Sequence, residues 1–280
     1  MKRIALELLP AMLCIASVVM AADNAGNPSP SRPAQVGPVP AEPPATTMPA
    51  AATTMPSPAM TALTQAAAEK KYLFVFFYKA DDANTRAMRK VFDDALAKSA
   101  DKANSIAVNI GDAAEKATVD KFGVARAPMP LALAVAPNGA VTAGLPTKFD
   151  EKDLAGAFVS PGKEKCLKAL QNRKLVIICA QNQNTKSNDE ATKGVQEFTA
   201  DKRYSGITEV IQVDPADAAE AKLMAEFKID PQTKEAVTVL MAPPGAVMSI
   251  VQGKVNKDAL IAALNPPKSG GCGCGPGGCK

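Results

Sequence analysis

From about Thr61 to Pro266 the 280-residue chain is written twice, at an offset that grows from 102 (Leu73 to Leu175) to 106 (Ala136 to Ala242). A repeat of this length requires two copies of one folded unit, each with its own core. Leu73–Phe77 (LFVFF) answers to Leu175–Cys179 (LVIIC), and the apolar run Ile106–Ile110 to Val210–Val213. Asp112-Ala-Ala-Glu115 returns as Asp217-Ala-Ala-Glu220, and Phe122-Gly-Val124 as Phe227-Lys-Ile229. The runs Leu131–Val135 and Ala236–Met241 each lead into a Pro-x-Gly turn, Ala136–Val141 and Ala242–Val247. Lys152-Asp153-Leu154 and Lys257-Asp258-Ala259 then open the closing helices, the second running to about Leu264.

Within the first copy, Tyr72–Tyr78 is seven large apolar residues in succession, too short for a membrane span and too aromatic for a loop. It reads as a central strand covered on both faces. Met88, Val91, Phe92, Ala95 and Leu96 follow at helical spacing, with Asp81 or Asp82 placed to cap that helix. Asp112 and Glu115, like Asp217 and Glu220, read as reciprocal caps, Asp accepting from an early amide and Glu returning to the cap. The Pro-x-Gly turns join antiparallel strands. Each copy therefore reads helix, strand, helix, strand, helix, strand, turn, strand, helix, beginning with Ala62–Lys70 and Lys163–Gln171. That order is an α/β unit: a parallel βαβ pair plus an antiparallel hairpin, a mixed sheet with helices on both faces.

This order, together with Phe122-Gly-Val-Ala-Arg-Ala-Pro128 ahead of a strand and a Pro-Asn-Gly turn, resembles the thioredoxin-like superfamily. The resemblance covers roughly Thr61–Pro161 and Lys163–Pro266 and implies two tandem thioredoxin-like domains, residues 61–161 and 162–266. It further implies that Pro128 is the cis-proline beside the active site, and that a Cys-x-x-Cys should stand where the first strand meets its helix. At that point the helix N-terminus lowers a thiol pKa and makes a nucleophile. Those places fall on Asp82 and Thr85 in the first copy and near Asn184 and Ser187 in the second; no cysteine lies between Cys14 and Cys166. The family's dithiol is absent from both copies. An exposed helix start lowers a carboxylate pKa, so Asp81 and Asp82 read as caps and not as general bases. In the second copy Ser187-x-x-Glu190 reads as a capping box, and Pro231 stands too early to be the family proline.

The chain has no histidine, which removes Ser-His and Cys-His nucleophile pairs, histidine bases and His-ligated metals. A net charge of +4, with cations and anions interspersed, gives no basic stripe for nucleic acid. Residues 1–21 pair a basic start with an apolar Leu8–Met20 and a Val-Met-Ala cleavage site, reading as an export signal to the periplasm or exterior. Glu7 and Pro10 interrupt it, so an uncleaved anchor, which alone would give membrane contact, stays open. Residues 22–60 are a Pro/Ala/Thr-rich linker with a doubled ATTMP, too poor in apolar surface to fold. It reads either as a spacer holding the folded part off a membrane or wall, or as a tolerated low-complexity segment.

Two cysteines fall in the second copy. Cys179 sits on its central strand and reads as a small buried hydrophobe; Cys166 sits on the preceding helix, and a Cys166–Cys179 disulfide is open. Cys14 lies in the export signal and is expected to leave with it, and the remaining three lie in the Gly-rich tail, residues 267–280, as Cys272-Gly-Cys274 and Cys279. A glycine tail has no core to bury thiols in. Three thiolates suit Cu(I) or Zn(II), Cys272 and Cys274 also suit a reducible disulfide with Cys279 resolving it, and cross-linking to another chain or an incidental tail remain open. The sequence is thus read as an exported tandem module that binds or scaffolds an unknown protein or thiol partner, with metal or thiol chemistry in the tail. The alternative is a thiol-disulfide oxidoreductase whose catalytic pair is Cys272 and Cys274.

Overall fold

A computed structural model describes residues Ser57–Asn265. Two four-stranded mixed sheets are laid out in the same way. In the first, α1 (Pro58–Ala68), β1 (Tyr72–Tyr78), α2 (Ala83–Ala97), β2 (Ala103–Asn109), α3 (Lys116–Phe122), β3 (Leu131–Val135), β4 (Val141–Pro146) and α4 (Glu151–Gly156) follow in order. In the second, α5 (Pro161–Gln171), β5 (Leu175–Ala180), α6 (Asn188–Ala200), β6 (Thr208–Val213), α7 (Ala221–Glu226), β7 (Val237–Ala242), β8 (Ala246–Gln252) and α8 (Lys257–Leu264) repeat the pattern. Strand orders are β2-β1-β3-β4 and β6-β5-β7-β8, with one parallel pair and two antiparallel pairs in each. This is the arrangement expected of two tandem thioredoxin-like domains.

β1 is central, and Tyr72–Phe77 are all buried because helices cover both faces. Phe74 and Phe76 point to the side of α2 and α4, where they meet Phe92, Leu96, Phe149 and Leu154; Leu73, Val75 and Phe77 point to the side of α1 and α3. The predicted helical stripe faces the former cluster. β5 does the same with aliphatic side chains: Val176, Ile178 and Ala180 face α5 and α7, while Ile177 and Cys179 face α6 and α8. α1 begins at Pro58 on a Ser57 cap, ahead of the Ala62 start read from the sequence, because Pro at the first helical position and Ser before it set the boundary.

The repeated Asp-Ala-Ala-Glu segments depart from the reciprocal-cap expectation. Asp112 and Asp217 do accept from Ala114 and Ala219. Glu115 instead is buried and accepts from the Ala59 amide at 3.1 Å, 56 residues back, and from the Thr118 hydroxyl at 2.9 Å. Glu220 accepts from the Gly162 amide at 2.7 Å and the Ser160 hydroxyl. Each carboxylate fills the orphan donors at the start of its domain's first helix, favourably placed against the helix dipole, instead of capping its own turn.

α5 belongs to both domains. Cys166, Ala169 and Leu170 enter the second core, while Leu167 packs on the aromatic core of the first. The Gln171 carboxamide closes on β4, accepting from the Val141 amide at 3.0 Å and donating to the Val141 carbonyl at 2.7 Å. At the other end, the Tyr72 hydroxyl donates to Glu164 Oε1 at 2.6 Å and accepts from the Val159 amide at 3.1 Å. Burial raises the Glu164 pKa above the usual carboxylate value and the nearby Glu220 charge adds to this, with Tyr72 donation partly opposing.

Two outcomes follow from these contacts. Replacing Glu115 or Glu220 by alanine strands buried donors, and each variant should lose roughly 1–3 kcal/mol in chemical denaturation. At Glu164 the folded pKa is raised, so its contribution to stability is full at low pH and lost as pH rises through the folded value. Glu164→Gln should therefore gain on the parent as pH rises above the ordinary carboxylate value of about 4.5, as judged by thermal midpoints; a difference that does not change with pH would contradict it.

Candidate functional site

The junction of β1 and α2 holds the positions that would carry the dithiol. Asp82, in extended backbone (φ −84°, ψ 175°), is the N-cap of α2, and its carboxylate accepts from the Thr85 amide at 2.7 Å. The Thr85 hydroxyl bonds it as well, and these contacts hold the Asp82 carboxyl below its ordinary pKa. Asp82 is exposed and Thr85 is buried, at 6% exposure. An exposed first and a buried second position suit an attacking and a resolving group, but neither residue here is a nucleophile of that kind, and the amide that would steady a thiolate is occupied.

The neighbouring charges are spent on one another. Arg86 pairs with Asp81 at 3.3 Å, Arg89 with Asp93 at 3.1 Å and Lys90 with Asp94 at 2.7 Å. With Phe76, Tyr78 and Thr85 they line an open groove of about 590 Å³ along α2, in which the Arg89 guanidinium sits 5.7 Å from the Phe76 ring centre. Among the described residues, no three His, Cys, Asp or Glu side chains converge in a metal-binding cluster.

The structure corrects the proline. The cis peptide is Met129–Pro130, so the position expected of Pro128 belongs to Pro130, immediately before β3. The left-handed Gly123 (φ 64°) ends α3, and a 3-10 turn at Val124–Arg126 precedes the proline. The Pro130 carbonyl accepts from Thr147 at 2.7 Å, and Asn84 reaches the Thr147 carbonyl, tying the loop after β4 to both sides of the site. In the second domain the ladder pairs Ala180 with Val237 as the first pairs Phe77 with Leu131, so Ala236 stands where Pro130 stands in the first. The second domain's cis bond, Pro243–Pro244, lies in the β7–β8 turn instead.

The β5–α6 loop is longer than β1–α2, so counting from the strand misplaces the second site: the helix cap is Ser187, not Asn184. Nor is Ser187-x-x-Glu190 a capping box. Ser187 is left-handed (φ 61°) with no capping bond; its hydroxyl donates to Glu235 at 3.0 Å, while Glu190 pairs with Lys254. The extra residues are stitched inward. The Lys186 amide donates to the Lys234 carbonyl at 2.8 Å and the Ala236 amide to the Lys186 carbonyl at 3.0 Å. Asn182 donates to Asp214 at 2.7 Å, and the Asn184 amide is held by the Asn182 side chain.

The Cys166–Cys179 disulfide does not form. Cys166 lies on the α5–α7 side of the second sheet, 3.8 Å from Met241 Sδ, and Cys179 on the α6–α8 side, so the sheet stands between them. Burial pushes both thiols up to about 11, which leaves little thiolate at neutral pH. Cys272, Cys274 and Cys279 lie outside the described residues.

No family model matches the chain, and no curated protein sequence is significantly similar to it. Solved structures do resemble it. The first two thioredoxin domains of Saccharomyces cerevisiae Eps1p match at 11% identity over 73% of this chain and 95% of that one, with a TM-score of 0.28. Human ERp44 in a zinc-bound form matches at 11% identity over 74% and 59%, TM-score 0.31. The NTD_N/C domain of Enterococcus faecalis AhpF matches at 16% identity over 73% and 96%, TM-score 0.26. At these scores the likenesses carry no argument of their own. The thioredoxin-like fold of both domains is seen in the strand order and helix placement, and in the first domain also in the cis-proline ahead of β3.

A substitution checks that the first site keeps the geometry and lacks only the sulfur. Asp82→Cys with Thr85→Cys should form a disulfide on mild oxidation. After reduction, the thiol at 82 should titrate below the free-cysteine value of about 8.5, followed by thiolate absorbance in the ultraviolet. Failure to form the bond in a folded variant would contradict the assignment.

Proposed function

We propose that this chain is an exported tandem thioredoxin-like module whose folded part binds or scaffolds a partner and performs no dithiol exchange, any thiol or metal work falling to Cys272, Cys274 and Cys279. One observation carries the reading: Asp82 fills the amide pocket at the start of α2 that dithiol chemistry requires for a thiolate. The buried, high-pKa state of Cys166 and Cys179 supports it, since neither thiol is available to a substrate. A groove bounded by self-paired charges and the half-buried Tyr78 ring suits reversible protein contact better than bond making.

Tail cysteines are also the natural place for Cu(I) or Zn(II), because thiolates suit both ions. Export accords with the basic-apolar start and the Pro-rich linker.

Insulin-disulfide reduction tests the reading. A chain lacking Ser269–Lys280 should show no turnover, and in the chain freed of residues 1–21 native thiol labelling at pH 8 should modify only tail cysteines, Cys166 and Cys179 reacting after denaturation. Turnover by the intact chain that disappears in a Cys272→Ser, Cys274→Ser variant would establish the tail oxidoreductase instead. Anaerobic titration with Cu(I) and Zn(II), read by elemental analysis, separates the metal role; stoichiometry unaffected by removing the tail would exclude it.

A further inference from the structure

The repeat makes the outer edges of β4 and β8 directly comparable, and among the described residues only that of β4 is covered. In the first domain the outward backbone groups of Val141 are both taken by the Gln171 carboxamide, a side chain standing in for a neighbouring strand. Val247 is the counterpart of Val141, since Val135 pairs with Val141 and Met241 with Val247, each beside a bulge. Among the described residues, which end at Asn265, no helix follows the second domain as α5 follows the first. Among the described residues nothing pairs with the outer edge of β8, which ends its sheet.

That edge lacks the usual protection. Exposed edge strands ordinarily carry a charge, a proline or a covering element. Ala246-Val-Met-Ser-Ile-Val-Gln252 contains neither charge nor proline, whereas β4 ends on Pro146 and β6 carries Glu209. The Gly253 amide turns inward to the Ala236 carbonyl, and alternation along an antiparallel strand then points the amides and carbonyls of Ile250 and Gln252 outward. The bulge opposite Met241 brings Val247 and Ile250, 47% and 48% exposed, onto one face of the strand. The nearest described cations past the strand are already neutralised: Lys254 pairs with Glu190 at 2.8 Å and Lys257 with Asp201 at 2.7 Å.

We propose that β8 is the pairing edge for a second copy of this chain, joined antiparallel about a two-fold axis to make one continuous eight-stranded sheet. A second copy is the occupant that the charges favour. A neutral strand meets its own image without repulsion, and a two-fold places the Val247 and Ile250 side chains of both copies on the same face, as one apolar row. The pairing satisfies the outward backbone groups that Gln171 satisfies in the first domain. Two short strands and four side chains bury less than the roughly 1,200 Å² of a standard interface, so the association is weak and reversible.

Sedimentation velocity of the full chain tests this, run with reductant and chelator so that tail cysteines cannot link copies. Over a hundredfold concentration range the parent should pass from monomer to dimer. Ile250→Lys should weaken association at least tenfold, and Val247→Lys with Ile250→Lys should abolish it. Gln252→Lys, at an exposed position on the same edge, repeats the test without touching the core. Val210→Lys, on the opposite edge of the sheet, should change nothing, and thermal unfolding checks that each variant is folded. A parent that stays monomeric throughout overturns the proposal, whether the edge is then free or taken by another protein's strand. Association that survives the β8 changes overturns it equally.

Discussion

Helix α5 has to satisfy two cores at once, and the relation between the two sheets depends on it. Its Cys166, Ala169 and Leu170 belong to the second sheet and its Leu167 to the first. The helix therefore cannot move against one domain without opening a cavity in the other, and close-packed interiors resist that strongly. Its two ends are fixed by different chemistry. The start is held by Glu220 through Gly162, where an added Cβ would come within 2.7 Å of the carboxylate, so this glycine is required by close approach. The end is held by a carboxamide acting as a strand neighbour. In the first domain the Ala59 amide meets Glu115 in the same way.

What could be read from the sequence is what depends on local pattern. The duplication, the buried central strand and the stripe from Met88 to Leu96 are signals of periodicity, and they fix which faces are apolar before any contact is known. Contacts across long separations leave no such trace. Glu115 has the spacing of a local cap, yet its partner amide is on Ala59, and only the closing of the sheet brings the two together. Ser187 and Glu190 have the same spacing and the same outcome, because the left-handed Ser187 cannot present its hydroxyl to the helix.

The site positions failed for a related reason: each was found by counting along the chain, and counting is only as good as the loop lengths assumed. In the first domain the short β1–α2 loop puts Asp82 and Thr85 where expected. The turn after Gly123 moves the proline to Pro130, and the stitched loop before α6 moves the second cap to Ser187. Cysteine pairing failed on parity. Along β5 successive side chains alternate between faces, so Cys179 could meet α5 only if that helix lay on its side of the sheet, and nothing in the sequence of α5 says which side it takes.

The same helix start cannot serve both stability and thiolate chemistry. The first amides of α2 are orphan donors that must be met by something, and whichever group meets them gains the favourable end of the helix dipole. A thiolate held there keeps its charge in order to give it up in reaction. A carboxylate held there keeps its charge and gives up nothing, because a lowered pKa makes it a poorer base and a more constant cap. Asp82 is therefore more than the absence of a cysteine: it commits the amides of the first domain to holding the helix. In the second domain Ser187 makes no capping bond to α6, and the loop from Asn182 to Ser187 is instead bonded to the segment before β7. Two copies of one fold have thus built the same corner differently, with a carboxylate on the helix amides in one and a loop tied to the neighbouring segment in the other.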